Sequence, residues 1–156
     1  MKIRKLSYRD FEGVYSLTSD IYDENPSATW FFGKPSREEI EALVGYKLTK
    51  IKDKEAVDYV AICKDRVVGE CEIIKDANNN GWLGIIIKKG FRNKGLGKRL
   101  LRMAIVGARR IEVESIFAEV AYGNKAISFF KKNGFEVRGI ENREKGKIVL
   151  LELVKK

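Results

Sequence analysis

The clearest chemical signal in the chain is Arg92-Asn93-Lys94-Gly95-Leu96-Gly97, set between an apolar stretch, Leu83 to Ile87, and a segment of helical periodicity. The first turn of a helix leaves amide N–H groups unpaired and carries about half a positive charge, so glycines there let a phosphate come up against the main chain. Lys94, Lys98 and Arg99 add full charges around the turn. That combination suits a diphosphate with a further phosphate nearby. The pattern lacks the Gly-x-Gly-x-x-Gly of a dinucleotide fold and the Gly-Lys-Ser/Thr ending of a P-loop, so it favours neither NAD nor ATP. The plain alternative is a glycine pair that only permits a tight turn.

The charge distribution points the same way. The net charge of +9 comes from 31 Lys and Arg against 22 Asp and Glu. The whole excess sits between Ala77 and Ile111, where Lys88, Lys89, Arg92, Lys94, Lys98, Arg99, Arg102, Arg109 and Arg110 meet no acidic residue. A one-sign block of this kind attracts phosphates of a nucleotide, a nucleic acid or a membrane surface, or is a solvated helix face. The absence of histidine removes Ser-His-Asp and Cys-His nucleophiles, paired-His metal sites and imidazole proton shuttles. Cys63 and Cys71 fit neither zinc-knuckle nor redox Cys-x-x-Cys spacing and read as buried free thiols, so no metal site is expected.

Arg-x-x-Gly-x-Gly after an apolar strand resembles the pyrophosphate loop of the GNAT superfamily of acyl-CoA-dependent N-acetyltransferases. Asn124-Lys125-Ala126-Ile127-Ser128-Phe129-Phe130-Lys131-Lys132-Asn133-Gly134-Phe135 is similar to that family's second motif, with spacing closest to its histone-acetyltransferase branch. The resemblance runs from Lys2 to Val154. It implies that Arg92, Asn93, Lys94, Gly95, Leu96, Gly97 and Lys98 enclose the pyrophosphate of acetyl-CoA. It also implies that the backbone of Ile85, Ile86 and Ile87 runs beside the pantetheine arm, that Asn124 hydrogen-bonds the arm, and that Phe130 lies in the same pocket. An N–H near Ile86 or Ile87 would then polarise the thioester carbonyl. The implied activity is transfer of acetyl from acetyl-CoA to a primary amine, whether a protein N-terminus, a lysine or a small amine, by direct attack in a ternary complex.

The family's usual proton-handling residues do not carry over. Phe130 stands where many relatives place a tyrosine acid, and Gly81 where the histone branch places a glutamate base. Glu119 matches a glutamate proposed as base in the bacterial ribosomal-protein acetyltransferases, against the plain reading of an outward-facing strand carboxylate. Glu70, Glu72 and Tyr122 are further candidates. A thiolate is a good enough leaving group to depart without an acid. In relatives the first two helices and their connection roof the acceptor site. Asp20, Asp23, Glu24, Tyr22, Trp30, Phe31 and Phe32 occupy that stretch, either to receive an amine cation or as ordinary core and solvated acids.

The elements that must position these residues follow from patterning. Lys2–Leu6 reads as a strand, Asp10 caps a helix to about Ser19, and Ser36 with Glu39 forms a capping box for a helix to about Lys52. Val57–Cys63, Val67–Lys75 and Trp82–Lys88 read as successive antiparallel strands. A helix with Leu96, Leu100, Ala104, Gly107 and Ile111 on one face follows, then strand Ile116–Ala121, helix Lys125–Lys132, and strands Phe135–Ile140 and Lys147–Val154. The fold class is α/β, in the order β α α β β β α β α β β. It is a GNAT-like single domain over 1–156, with a mostly antiparallel mixed sheet of about seven strands and about four flanking helices. No apolar run approaches the roughly 18 residues of a membrane helix, and the start does not resemble a secretory signal, which points to the cytoplasm. Two other readings stand beside the enzyme: an acyl-CoA-binding regulatory domain without strong catalysis, and a basic nucleic-acid-binding module.

Overall fold

The computed structural model describes residues 1–29, 31 and 33–154. The elements run β1 (Lys2–Lys5), α1 (Phe11–Glu24), α2 (Arg37–Lys52), β2 (Ala56–Cys63), β3 (Arg66–Lys75), β4 (Asn80–Ile87), α3 (Leu96–Arg110), β5 (Ser115–Ala121), α4 (Ala126–Lys132), β6 (Phe135–Arg143) and β7 (Gly146–Leu153). This is the order the patterning predicts. The strands form one seven-stranded sheet, β1-β2-β3-β4-β5-β7-β6, in which every pairing is antiparallel except β4 with β5. Among the described residues no helix is long and apolar enough to cross a membrane.

Helix α1 starts where its sequence indicates but runs longer than expected. Asp10 is the N-cap residue, as its position suggests, but its carboxylate makes no cap bond to the helix; it accepts from the Ser7 amide at 2.8 Å and from Arg4 at 2.7 and 2.8 Å, closing a short 3-10 turn one step earlier. The helix continues past Ser19 to Glu24, because Val14, Leu17 and Ile21 form one buried stripe, and it stops where Pro26 cannot extend it. Helix α2 begins as its sequence indicates: the Glu39 amide donates to the Ser36 hydroxyl and the Ser36 amide to the Glu39 carboxylate, both at 3.1 Å.

The sheet has two covered faces. Leu100, Leu101, Ala104 and Ala108 of α3 pack on Cys71, Ile73, Leu83 and Ala118, and Phe130 and Phe135 extend this core under α4. On the other face Val14, Leu17 and Ile21 of α1 and Ile40 and Val44 of α2 pack on Val60 and Val67. Strands β4 and β5 pair only from Asn80 with Ser115 to Leu83 with Ala118. Beyond that point β4 keeps β3 on one side, β5 keeps β7 on its other side, and the sheet splits.

Candidate active site

The split opens a cleft of 1020 Å³. Its first end is the turn from β4 into α3. Gly95 takes φ +84 there, the left-handed region that favours glycine, and no heavy atom lies within 4 Å of where its side chain would stand. Among the described residues no backbone hydrogen bond is made by the amides of Gly95, Leu96, Gly97 and Lys98, the unpaired donors of a helix start. A side chain on Gly97 would stand 3.1 Å from the ring of Phe129, so α4 leans on α3 at this glycine. The Leu96 side chain is buried in the core, whereas Asn93, Lys94, Lys98 and Arg99 are exposed. Asn93, Gly95, Gly97 and Lys98 line the cleft.

Two of the expected cations brace the protein. Arg92 donates from Nε to the Ile87 carbonyl at 2.9 Å and grips Glu24 with two bonds of 2.5 and 2.8 Å, tying the turn to the last turn of α1. Lys94 donates to the Gly90 carbonyl at 2.9 Å. Glu24 and Arg92 stabilise each other's charged forms: the side-chain bond lowers the carboxyl's pKa and raises the guanidinium's.

Ile85, Ile86 and Ile87 run along the split edge of β4 and line the cleft. Asn124, beyond the end of β5, also lines it; its Oδ1 accepts from the Ala126 amide at 2.8 Å, shaping the start of α4. Phe130 is 3% exposed and meets Phe129 and Phe135 edge-on, with centroids 5.4 and 5.0 Å away, so most of its ring is core and only an edge reaches the cleft.

The far end is built from β-sheet register. Asp58 on β2 pairs with Glu72 on β3, and Glu72 with Gly84 on β4. Gly84 and Glu119 are the first residues past the last paired rung, Leu83 with Ala118. Glu72 and Glu119 therefore flank the bare position of Gly84, and a side chain there would meet Glu72 Cγ at 3.4 Å. Helix α2 sends Lys47 into this floor, on the stripe that carries Ile40 and Val44, with Nζ 2.5 Å from Glu72, 3.1 Å from Glu70 and 3.5 Å from Asp58.

Burial works against the Lys47 ammonium, but Glu70, Glu72 and Asp58 outweigh it and hold the pKa well above its ordinary value. Burial pushes the Asp58 carboxyl well up, and the charge of Glu70 adds to it, which favours its neutral form. Glu70 is opposed by burial but ends below the ordinary range, held ionised by Lys47.

Glu119 lines the cleft and is ion-paired with Arg143 of β6 at 2.7 Å. Tyr122 is 61% exposed, lies outside the cleft's lining, and has the Lys147 ammonium 5.6 Å from its ring centre. Gly81 has no space for a carboxylate: a Cβ there would stand 2.6 Å from Ile73 and 2.8 Å from Val113. The acids of α1 each have a cation of the chain's own, Glu12 with Arg37, Asp20 with Lys88 at 3.6 Å, Asp23 with Lys34 at 2.9 Å and Glu24 with Arg92. Phe31 is half-buried against the α1–α2 core, and Lys145 donates to the carbonyls of Thr29, at 3.0 Å, and Phe31. Trp30 and Phe32 lie outside the described residues.

Sequence reasoning did not find Lys47, Asp58, Gly84, Phe129 or Arg143 as parts of this site. A signal existed for one of them, since a lysine seven residues after Ile40 and three after Val44 falls on the apolar stripe of α2.

A split parallel pair that opens onto a glycine-lined helix start offers an open strand edge and free amide donors to a long ligand that carries phosphates and amides. The sequence family described as acetyltransferase (GNAT) domain matches residues 55–137, more than half of the chain, and the protein belongs to that family. The fold is similar to solved structures of ribosomal-protein-alanine N-acetyltransferase from Brucella melitensis (TM-score 0.83, 21% identity, covering 99% of this chain and 100% of that one) and an N-acetyltransferase from Staphylococcus aureus Mu50 (0.83, 19%, 97% and 96%). It is also similar to phosphinothricin acetyltransferase from Sinorhizobium meliloti in complex with acetyl-CoA (0.79, 18%, 97% and 86%).

Proposed function

We propose that the protein transfers the acetyl group of acetyl-CoA to a primary amine, which attacks directly within a ternary complex. The observation that carries this reading is the continuity of one cleft from the unpaired amides of Gly95 to Lys98, along the open edge of β4, to the carboxylates either side of Gly84. The residues fit the co-substrate. Asn93 to Lys98 would hold its phosphates, the open edge at Ile85 to Ile87 and the Asn124 amide would pair with its amide-bearing arm, and the edges of Phe129 and Phe130 would wall it. When bound, it supplies an activated acyl group.

The chain's part is to place an amine and relieve it of a proton. A carboxylate must face the gap for that purpose, and Glu119 and Glu72 both do. No tyrosine acid is needed, because a thiolate leaves readily, and Tyr122 is assigned no part in the transfer. The name of the Brucella relative supports a protein N-terminus among the acceptors, beside lysine and small amines.

The test is calorimetry with acetyl-CoA followed by thiol release over a panel of amines and peptide N-termini. Binding with turnover on at least one amine supports the proposal. Binding without turnover on any acceptor would leave an acyl-CoA-binding domain, and no binding would return the basic segment to a nucleic-acid role.

A further inference from the structure

Resting on the acetyl-transfer reading, we propose that Glu72 takes the proton from the acceptor's ammonium group, with Lys47 holding its carboxylate in place and the buried Asp58–Glu70 pair fixing Lys47 from behind. Of the three carboxylates around Lys47, those of Asp58 and Glu70 are 1% and 6% exposed, whereas that of Glu72 is 24% exposed. Of these three, Glu72 alone stands beside the bare backbone of Gly84 at the point where β4 and β5 part.

Charge counting singles out the same residue. Neither oxygen of Asp58 has a hydrogen-bond partner among the described residues, and the Lys47 ammonium stands 3.5 Å away, the longest of its three contacts, so burial and the charge of Glu70 prevail and favour the neutral carboxyl. Asp58 and Glu70 together then carry one negative charge, which the Lys47 ammonium balances. Glu72 is the excess carboxylate, and a proton on it brings the cluster to neutrality.

The remaining neighbours leave that balance alone. Gly84 offers no charge from β4, Glu24 of α1 is gripped by Arg92, and Glu119 of β5 is paired with Arg143. Burial raises the Glu72 carboxyl above its ordinary range; Lys47 opposes this and Glu70 adds to it, leaving the group nearer to working pH than a free glutamate.

The step balances as follows. Glu72 accepts one proton from the ammonium, the freed nitrogen lone pair forms the C–N bond to the thioester carbon, and the C–S bond breaks. The second nitrogen proton goes to the departing sulfur, giving amide and thiol, and Glu72 returns its proton to water.

The experiment compares two nucleophiles at neutral pH: n-butylamine, which is almost wholly ammonium, and hydroxylamine, which is largely neutral and needs no base. For Glu72→Gln, kcat/KM with n-butylamine should fall by about 100-fold or more, whereas hydroxylamine should lose no more than about threefold, with acetyl-CoA affinity unchanged. Glu72→Asp should restore part of the n-butylamine rate, and Glu119→Gln should lower both nucleophiles alike. Equal losses with both nucleophiles in Glu72→Gln, or an unchanged n-butylamine pH profile, overturn the assignment. A wild-type protein that releases no thiol with either amine overturns the acetyl-transfer reading itself, and this assignment with it.

Discussion

At the start of α3 the cleft is made of backbone: bare amides, a left-handed Gly95, and cations that are exposed or turned to bracing. Under α2 it is made of side chains, one ammonium and three carboxyls drawn from α2, β2 and β3 and buried together. The first end fits a ligand that brings its own dense negative charge and asks only for donors and room. The second must control where a single proton sits, which backbone cannot do and solvated side chains do poorly. The difference also shows in cost. Exposed cations desolvate little, whereas a buried ionic cluster depends on every member.

Removing one member from each end gives the widest contrast. Lys47→Met leaves Glu70 and Glu72 buried without their cation and should cost about 3–5 kcal/mol of stability in urea unfolding, against no more than about 0.5 kcal/mol for Lys98→Ala. A Lys47 variant as stable as wild type would show that the cluster is already relaxed by water.

Gly95→Glu puts a carboxylate and a strained φ among the amides, and should lower acetyl-CoA affinity on the order of 100-fold by calorimetry. Unchanged affinity would move the phosphates elsewhere.

Gly84→Leu fills the gap between Glu72 and Glu119, so kcat/KM should fall by about tenfold to a hundredfold while acetyl-CoA affinity stays put. A matching loss of affinity would mean that the two ends are not separable.

The gentlest probe is Asp58→Asn. The folded protein holds a proton on Asp58 above the ordinary carboxylate range, so that contribution to stability is complete below about pH 4 and is lost as the pH rises. The asparagine has no such dependence. Thermal unfolding should show a small difference from wild type near pH 4 that widens in the variant's favour towards pH 8, and a constant gap would place the charge on Asp58.

The contrast between the ends also explains what could be read before the fold was known. The glycine turn is contiguous and announces itself: Arg92 to Gly97 needs only a strand before it and a helix after it, and both are plain in the patterning. The element order was legible for the same reason, since each strand and helix carries its own period. The acid end is assembled by register. Nothing local to Asp58, Glu72 or Gly84 says that they share one row across three strands, and nothing local to Lys47 says that its ammonium fills the space between them. The bonding of Asp10 and the length of α1 differ from the local pattern through competition of the same kind. A carboxylate near a helix start was taken by Arg4 and Ser7, and turn-forming residues after Ser19 were overruled by the burial of Ile21.

Gly81 limits how this protein can be rebuilt. Its missing side chain is a contact surface for Ile73 and Val113, so grafting the histone-branch glutamate onto that spot would wedge a charged group into an aliphatic seam. On this side of the split, a carboxylate facing the gap therefore has to come from the row that Asp58, Glu72 and Gly84 share, one strand position away from that seam.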